Sequence, residues 1–225
     1  MVLLRRAVLA VALTTSCTTF QRTAELEATD DAAPPSVPDA APDVDAPAPL
    51  DAGPTEAGDA SNEDKRVFVT SDAWNGIMGG ASGADTRCVA AADRAALGGD
   101  WIAWISADGK HALARITHEG PYVRLDGARV VRNRTQLASG VLAVAIELTE
   151  SGAAVTENRH VWTGTRENGT IFADCNNWST DNAVTFGTIG ALDRRDRTWT
   201  DNGGPGPGFR NWGCQTKARL YCFEL

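Results

Sequence analysis

The chain has 225 residues, 43% of them hydrophobic, with five cysteines and a formal net charge of -8; that length allows one or two domains. The charge is segregated: residues 1–23 carry three arginines and no acids, residues 24–64 twelve acids and no bases, and residues 65–225 carry 18 bases and 17 acids. A nearly neutral C-terminal part lacks the basic footprint of a nucleic-acid-binding protein, so nucleic acid is not an expected partner.

At the N-terminus Arg5 and Arg6 precede an apolar run, Ala7 to Leu13, that is too short to cross a bilayer and has the pattern of a signal peptide over residues 1–16. The following Leu13 to Cys17 (LTTSC) resembles the lipobox of bacterial lipoproteins, although Thr14 stands where that family has leucine. The resemblance implies a diacylglyceryl anchor on Cys17 and, with Thr18 next to it, a lipid-anchored protein of the outer membrane or cell surface. An ordinary secretory signal with an incidental Cys17 is the alternative. Setting Cys17 aside leaves four cysteines, an even number suited to the oxidising compartment of an exported protein. The lipid is the only membrane contact expected.

Seven of the ten prolines lie between Pro34 and Pro54, among alanines and aspartates with no aromatic residue. Such a segment cannot bury enough surface to offset its ordering entropy, which predicts a disordered tether over residues 17–64. All seven tryptophans and both tyrosines lie at or beyond Trp74, so one folded domain is expected over residues 65–225. A domain of about 160 residues buries roughly 70% of its unfolded surface, enough for its own core.

Within that domain Val67 to Ser71 alternates and is β-branched, which predicts a strand. Ser82 with Asp85 forms a capping pattern before an alanine-rich helix, Ala84 to Leu97, that Gly98-Gly99 ends; Cys88 shares its inward face with Ala92 and Ala95. Strands are predicted at 101–106, 111–116, 122–125, 128–131, 141–148, 161–165, 170–174 and 219–225, with a short helix at 133–139. The turn dipeptides Asp108-Gly109, Asp126-Gly127 and Asn168-Gly169 place hairpins between neighbouring strands. The expected class is α+β, a twisted antiparallel sheet with one or two helices.

A helix carrying Cys88, the WIAWIS strand from Trp101, the Cys175-x-x-Trp178 element and the terminal CQTKARLYCFE from Cys214 occur in the order found in C-type-lectin-like domains. The segments GADTRCVAAADRAA, GPYVRLDGARVV, VWTGTRENG and LYCFE resemble its endostatin-like branch, in a family of bacterial surface lipoproteins, over Arg66 to Leu225. Four cysteines allow three pairings, or a zinc site, by count alone. The resemblance implies disulfides Cys88–Cys222 and Cys175–Cys214. It is weakly specific for function, because this fold hosts many unrelated sites.

The residues themselves point to a binding module without catalytic residues, cofactor or metal. His111, His118 and His160 stand in no metal-binding spacing, and neither a Gly-x-Ser-x-Gly motif nor a phosphate-cradling loop is present. The long segment between Cys175 and Cys214 is rich in Asn, Gly, Thr and Trp, the composition of loops that hydrogen-bond and stack on ligands. Candidate ligand-binding residues there are Asn176, Asn177, Trp178, Asp181, Trp199 and Trp212, with turn formation and core packing as their structural alternatives. In C-type lectins this region holds calcium and sugar, but their Glu-Pro-Asn, Gln-Pro-Asp and Trp-Asn-Asp elements are missing. Arg194, Arg195 and Arg197, interleaved with Asp193 and Asp196, resemble the arginine clusters with which endostatin binds sulfated polysaccharide. The expected partner is therefore a carbohydrate or polyanionic matrix polymer; the alternative is a surface protein, in adhesion or a structural envelope role.

Overall fold

A computed structural model describes residues 63–203 and 211–225. The signal peptide, Cys17 and the tether up to residue 62 lie outside the described residues. In chain order the elements are β1 (Lys65–Val69), α1 (Gly80–Arg94), β2 (Trp101–Ala103), α2 (Ala112–Arg115), β3 (Tyr122–Arg124), β4 (Arg129–Val131), α3 (Arg134–Ala138), β5 (His160–Trp162), β6 (Phe186–Ala191), β7 (Asn211–Gly213) and β8 (Tyr221–Glu224). A five-stranded sheet has the order β2-β8-β1-β3-β4, and a three-stranded sheet the order β5-β6-β7.

The fold is α+β, but its larger sheet is mixed. Strands β1 and β3 pair in parallel, Lys65 opposite Tyr122, whereas local hairpins led to an all-antiparallel expectation. A parallel pair needs a long crossover, and the connection through α1, β2 and α2 provides one. Strand β8 pairs antiparallel with both β1 and β2, so the C-terminal strand lies in the sheet interior.

Alternation along the central strands divides the core in two. Phe68, Cys222, Trp101 and Ala103 face one cluster, which α1 covers with Ala84, Cys88, Ala91 and Ala92. Val67, Val69, Tyr221 and Phe223 face the other, filled by Trp104, Tyr122, Leu137, Leu142, Ile146 and Trp199. Disulfides join Cys88 to Cys222, and Cys175 to Cys214, with Cα separations of 5.5 and 5.7 Å. These are the pairs implied by the family resemblance.

Helix α1 starts two residues before Ser82, behind Gly79 at φ 82°, and no side chain of its own first turn caps it. Instead the Asp108 carboxylate accepts from the Ala81 amide at 3.3 Å. Asp85, expected as a capping partner, accepts from Arg115 through both oxygens at 2.6 and 2.7 Å and from the Ala103 amide at 2.9 Å. That clamp also explains residues 111–116, predicted as a strand. Arg115 donates to the Ala103 and Ile105 carbonyls, and the segment folds as α2 with Ala112 and Ile116 buried four residues apart. Residues 141–148 form no strand either: Leu142 donates to the Arg195 carbonyl and Ala143 to the Val130 carbonyl, so neighbouring residues serve different segments.

Candidate functional site

The expected loop residues divide into two regions. In the first, Cys175 to Trp178 make a left-handed turn, with φ between 53° and 57° at four successive non-glycine residues. Left-handed backbone costs an L-residue about 1–2 kcal/mol, and several consecutive positions need external support. Asp174 caps the turn by accepting from the Asn177 amide at 3.0 Å, and the Asn177 side chain accepts from the Asp108 amide and donates to the Asp108 carboxylate at 2.6 Å. The Trp178 indole donates to the Ser106 carbonyl at 2.8 Å, and the Trp178 carbonyl accepts from Met78 and Gly79 at 2.9 Å each. Gly187 makes room for the disulfide, since a Cβ there would lie 2.8 Å from Cys175 Sγ.

The candidates in this region are engaged by the protein itself. Trp178 is fully buried against Trp162, so it offers no ring to a ligand. Asn176 is exposed but donates to Ser179 Oγ, and Asp181 accepts from the Asn75 side chain at 3.2 Å. Trp212 is half-buried beneath the first core and lies 4.1 Å from the His160 ring. The Asn177 amide hydrogen bond, ahead of a smaller burial effect, holds the Asp108 carboxyl below its ordinary value. A groove of about 390 Å³ runs beside Asp108, walled also by Ile102, Lys110, Arg115 and Leu225. Its Asp108 and Arg115 are already paired with Asn177 and Asp85.

The second region is built from two distant segments. One is the run from Gly127 to Ile146, which contains Arg129, Arg132 and Arg134 and no carboxylate. The other is the 193–197 loop, docked where the Leu142 amide donates to the Arg195 carbonyl at 2.7 Å. Arg197 donates from Nε to the Ser139 carbonyl at 3.3 Å and lies over Gly140, whose φ of +73° and missing Cβ admit it: a Cβ there would stand 2.8 Å from Arg197 Cγ.

The interleaved aspartates leave this face basic. Asp196 turns back to cap the 3-10 turn at Arg197–Trp199, accepting from the Thr198 amide and hydroxyl, and those bonds hold its carboxyl below the ordinary value. Asp193 forms one ion pair among the described residues, with Arg194 at 3.8 Å. Arg132, Arg195 and Arg197 are exposed and make no ion pair among the described residues. Arg134 is engaged below the surface with the Leu113 and Ile116 carbonyls. Trp199, expected as a stacking residue, is fully buried between Trp104 and Tyr221. The sequence alone points to Arg194, Arg195 and Arg197 and misses Arg132, because only the fold docks the 127–146 segment against the 193–197 loop.

Among the described residues no group of three or more His, Cys, Asp or Glu side chains could hold a metal ion, and no helix is long and apolar enough to cross a membrane. No protein-family model matches the chain, and the curated proteins compared with it yield no match.

Proposed function

We propose that this chain is a non-catalytic binding module, exported and lipid-anchored at Cys17, whose arginine face holds an anionic polysaccharide or matrix polymer. One observation carries the reading. The Leu142 amide donates to the Arg195 carbonyl and Arg197 to the Ser139 carbonyl, which docks the exposed 193–197 arginines on the segment that carries exposed Arg132, so a repeating anion can span guanidiniums of both segments. Planar guanidinium forks bind sulfate and carboxylate oxygens in pairs. Two disulfides support folding in an oxidising compartment. A C-type-lectin-like, endostatin-like fold is part of the same proposal. It is supported by the helix-to-last-strand disulfide and by the central pairing of the first and last strands.

The test is retention on immobilised heparin, used as a model sulfated polysaccharide, across a salt gradient. The wild-type chain is expected to elute late and to lose retention as salt screens exposed charges, since the Debye length falls to about 3 Å at 1 M. Combined Arg132→Ala, Arg194→Ala and Arg195→Ala, which leaves the Arg197–Ser139 contact in place, is expected to abolish retention without shifting the melting temperature. Equal retention of that variant would remove the reading.

Protein adhesion or a structural envelope role is the second reading, favoured by the exposure of Phe172, Val184 and Phe186 at 48%, 76% and 46%. Phe172 and Phe186 flank the bridge between Asp174 and Gly187. Combined Phe172→Ser and Phe186→Ser is expected to leave heparin retention unchanged, whereas a protein-binding role predicts loss of surface-protein capture.

A further inference from the structure

The second core contains two hydrogen-bond donors without acceptors. The Trp199 indole N–H is buried and has no partner among the described residues. Thr200 Oγ1 accepts from the Trp104 indole at 2.9 Å, and its own hydrogen reaches no acceptor there. Both residues line one slot between the Trp104 ring, α3 and the hairpin at 165–171. An unsatisfied buried donor costs about 1–3 kcal/mol, so two at one place call for an acceptor.

The slot's size and walls define that acceptor. Its interior is about 20 Å³, against the roughly 10–15 Å³ that one buried water needs, so it admits a single oxygen-sized group. Leu113 and Leu137 form apolar walls, which penalise a charged group stripped of water. At the mouth stand exposed Ala138 and the oppositely charged, exposed pair Arg166 and Glu167. The opening faces solvent, so an oxygen on the end of a larger molecule can enter while its stem stays outside.

We propose that this slot is a binding site for the neutral acceptor oxygen of an amide or alcohol, held jointly by the Trp199 N–H and the Thr200 hydroxyl. It borders the arginine face at Gly140 but requires no anion, and goes beyond polymer binding by that face.

The test uses the full chain labelled with ¹⁵N at its seven tryptophans, titrated with N-methylacetamide and, separately, with acetate. Trp199→Phe identifies the indole signal; if that variant does not fold, hydrogen–deuterium exchange identifies it as the most protected unpaired indole. A saturable shift of the Trp199 N–H with N-methylacetamide but not acetate is expected. Ala138→Phe, at an exposed position over the mouth, is expected to raise the half-saturation concentration about tenfold while leaving the other indole signals in place. A uniform drift of all indoles, an unchanged Trp199 signal that marks a resident water only, a response to acetate, or an unaltered response in Ala138→Phe would each overturn the proposal. None of these outcomes bears on heparin retention.

Discussion

At the scale of single residues, the pairing of Arg66 with Glu224 ties the first strand to the last. Arg66 donates to the Glu224 carboxylate from Nε at 2.7 Å and from Nη2 at 2.5 Å, while Nη1 reaches the Leu97 carbonyl at 2.8 Å beyond α1. Burial raises the Glu224 pKa, but the hydrogen bonds and charge of Arg66 outweigh it and hold the carboxyl below its ordinary 4.5. A carboxyl depressed in the folded state stabilises the fold above its unfolded pKa, and that stability is lost as pH falls through the folded value. Glu224→Gln is therefore expected to cost about 2 kcal/mol at neutral pH, typical of hydrogen bonds to a charged group. It should also flatten the fall in stability below pH 4.5, measured by urea denaturation across pH. An acid limb as steep as wild type would show that other carboxylates govern it.

At the scale of elements, the left-handed turn gives two neighbours with the same backbone opposite fates. Asn176 and Asn177 sit at φ 54° and 55°, where glycine carries no steric cost. Asn177 alone bridges to Asp108, which in turn accepts from the first turn of α1. Asn176→Gly is expected to be neutral or stabilising by up to about 1 kcal/mol, and Asn177→Gly destabilising by about 1–2 kcal/mol through loss of two hydrogen bonds. Paired denaturation curves decide it; equal effects would mean that the backbone alone sets the outcome. The handedness of this turn was not legible in the sequence. Two asparagines tolerate left-handed backbone, but Cys175 and Trp178 have no such preference and adopt it because the disulfide and the Ser106 carbonyl fix their ends.

For the whole molecule, what was legible is what depends on near neighbours. Asp108-Gly109, Asp126-Gly127 and Asn168-Gly169 all turn hairpin-like connections, and α3 forms where Asn133 accepts from the Gln136 amide. The parallel pairing of β1 with β3, the conversion of residues 111–116 to α2 and the docking of the 193–197 loop on Ser139 and Leu142 depend on partners far along the chain. No local pattern encodes them.

The two crosslinks differ in what they hold at that scale. Cys88–Cys222 spans 134 residues and joins α1 to a strand inside the larger sheet, whereas Cys175–Cys214 spans 39 and anchors the left-handed turn. Loop-closure entropy gives model ceilings of about 5 and about 4 kcal/mol, too close to separate the bonds by stability alone, but location separates them. Replacing Cys88 and Cys222 by alanine should raise hydrogen exchange throughout β1, β2 and β8, because the helix that covers Phe68 and Trp101 loses its tether. Replacing Cys175 and Cys214 should release strained backbone first. Exchange should then rise at residues 175–179 and at Met78 and Gly79, whose amides depend on the Trp178 carbonyl, while β1 and β8 stay protected. If both pairs of replacements opened the larger sheet equally, the turn would be part of the global folding unit and not a locally crosslinked element on its surface.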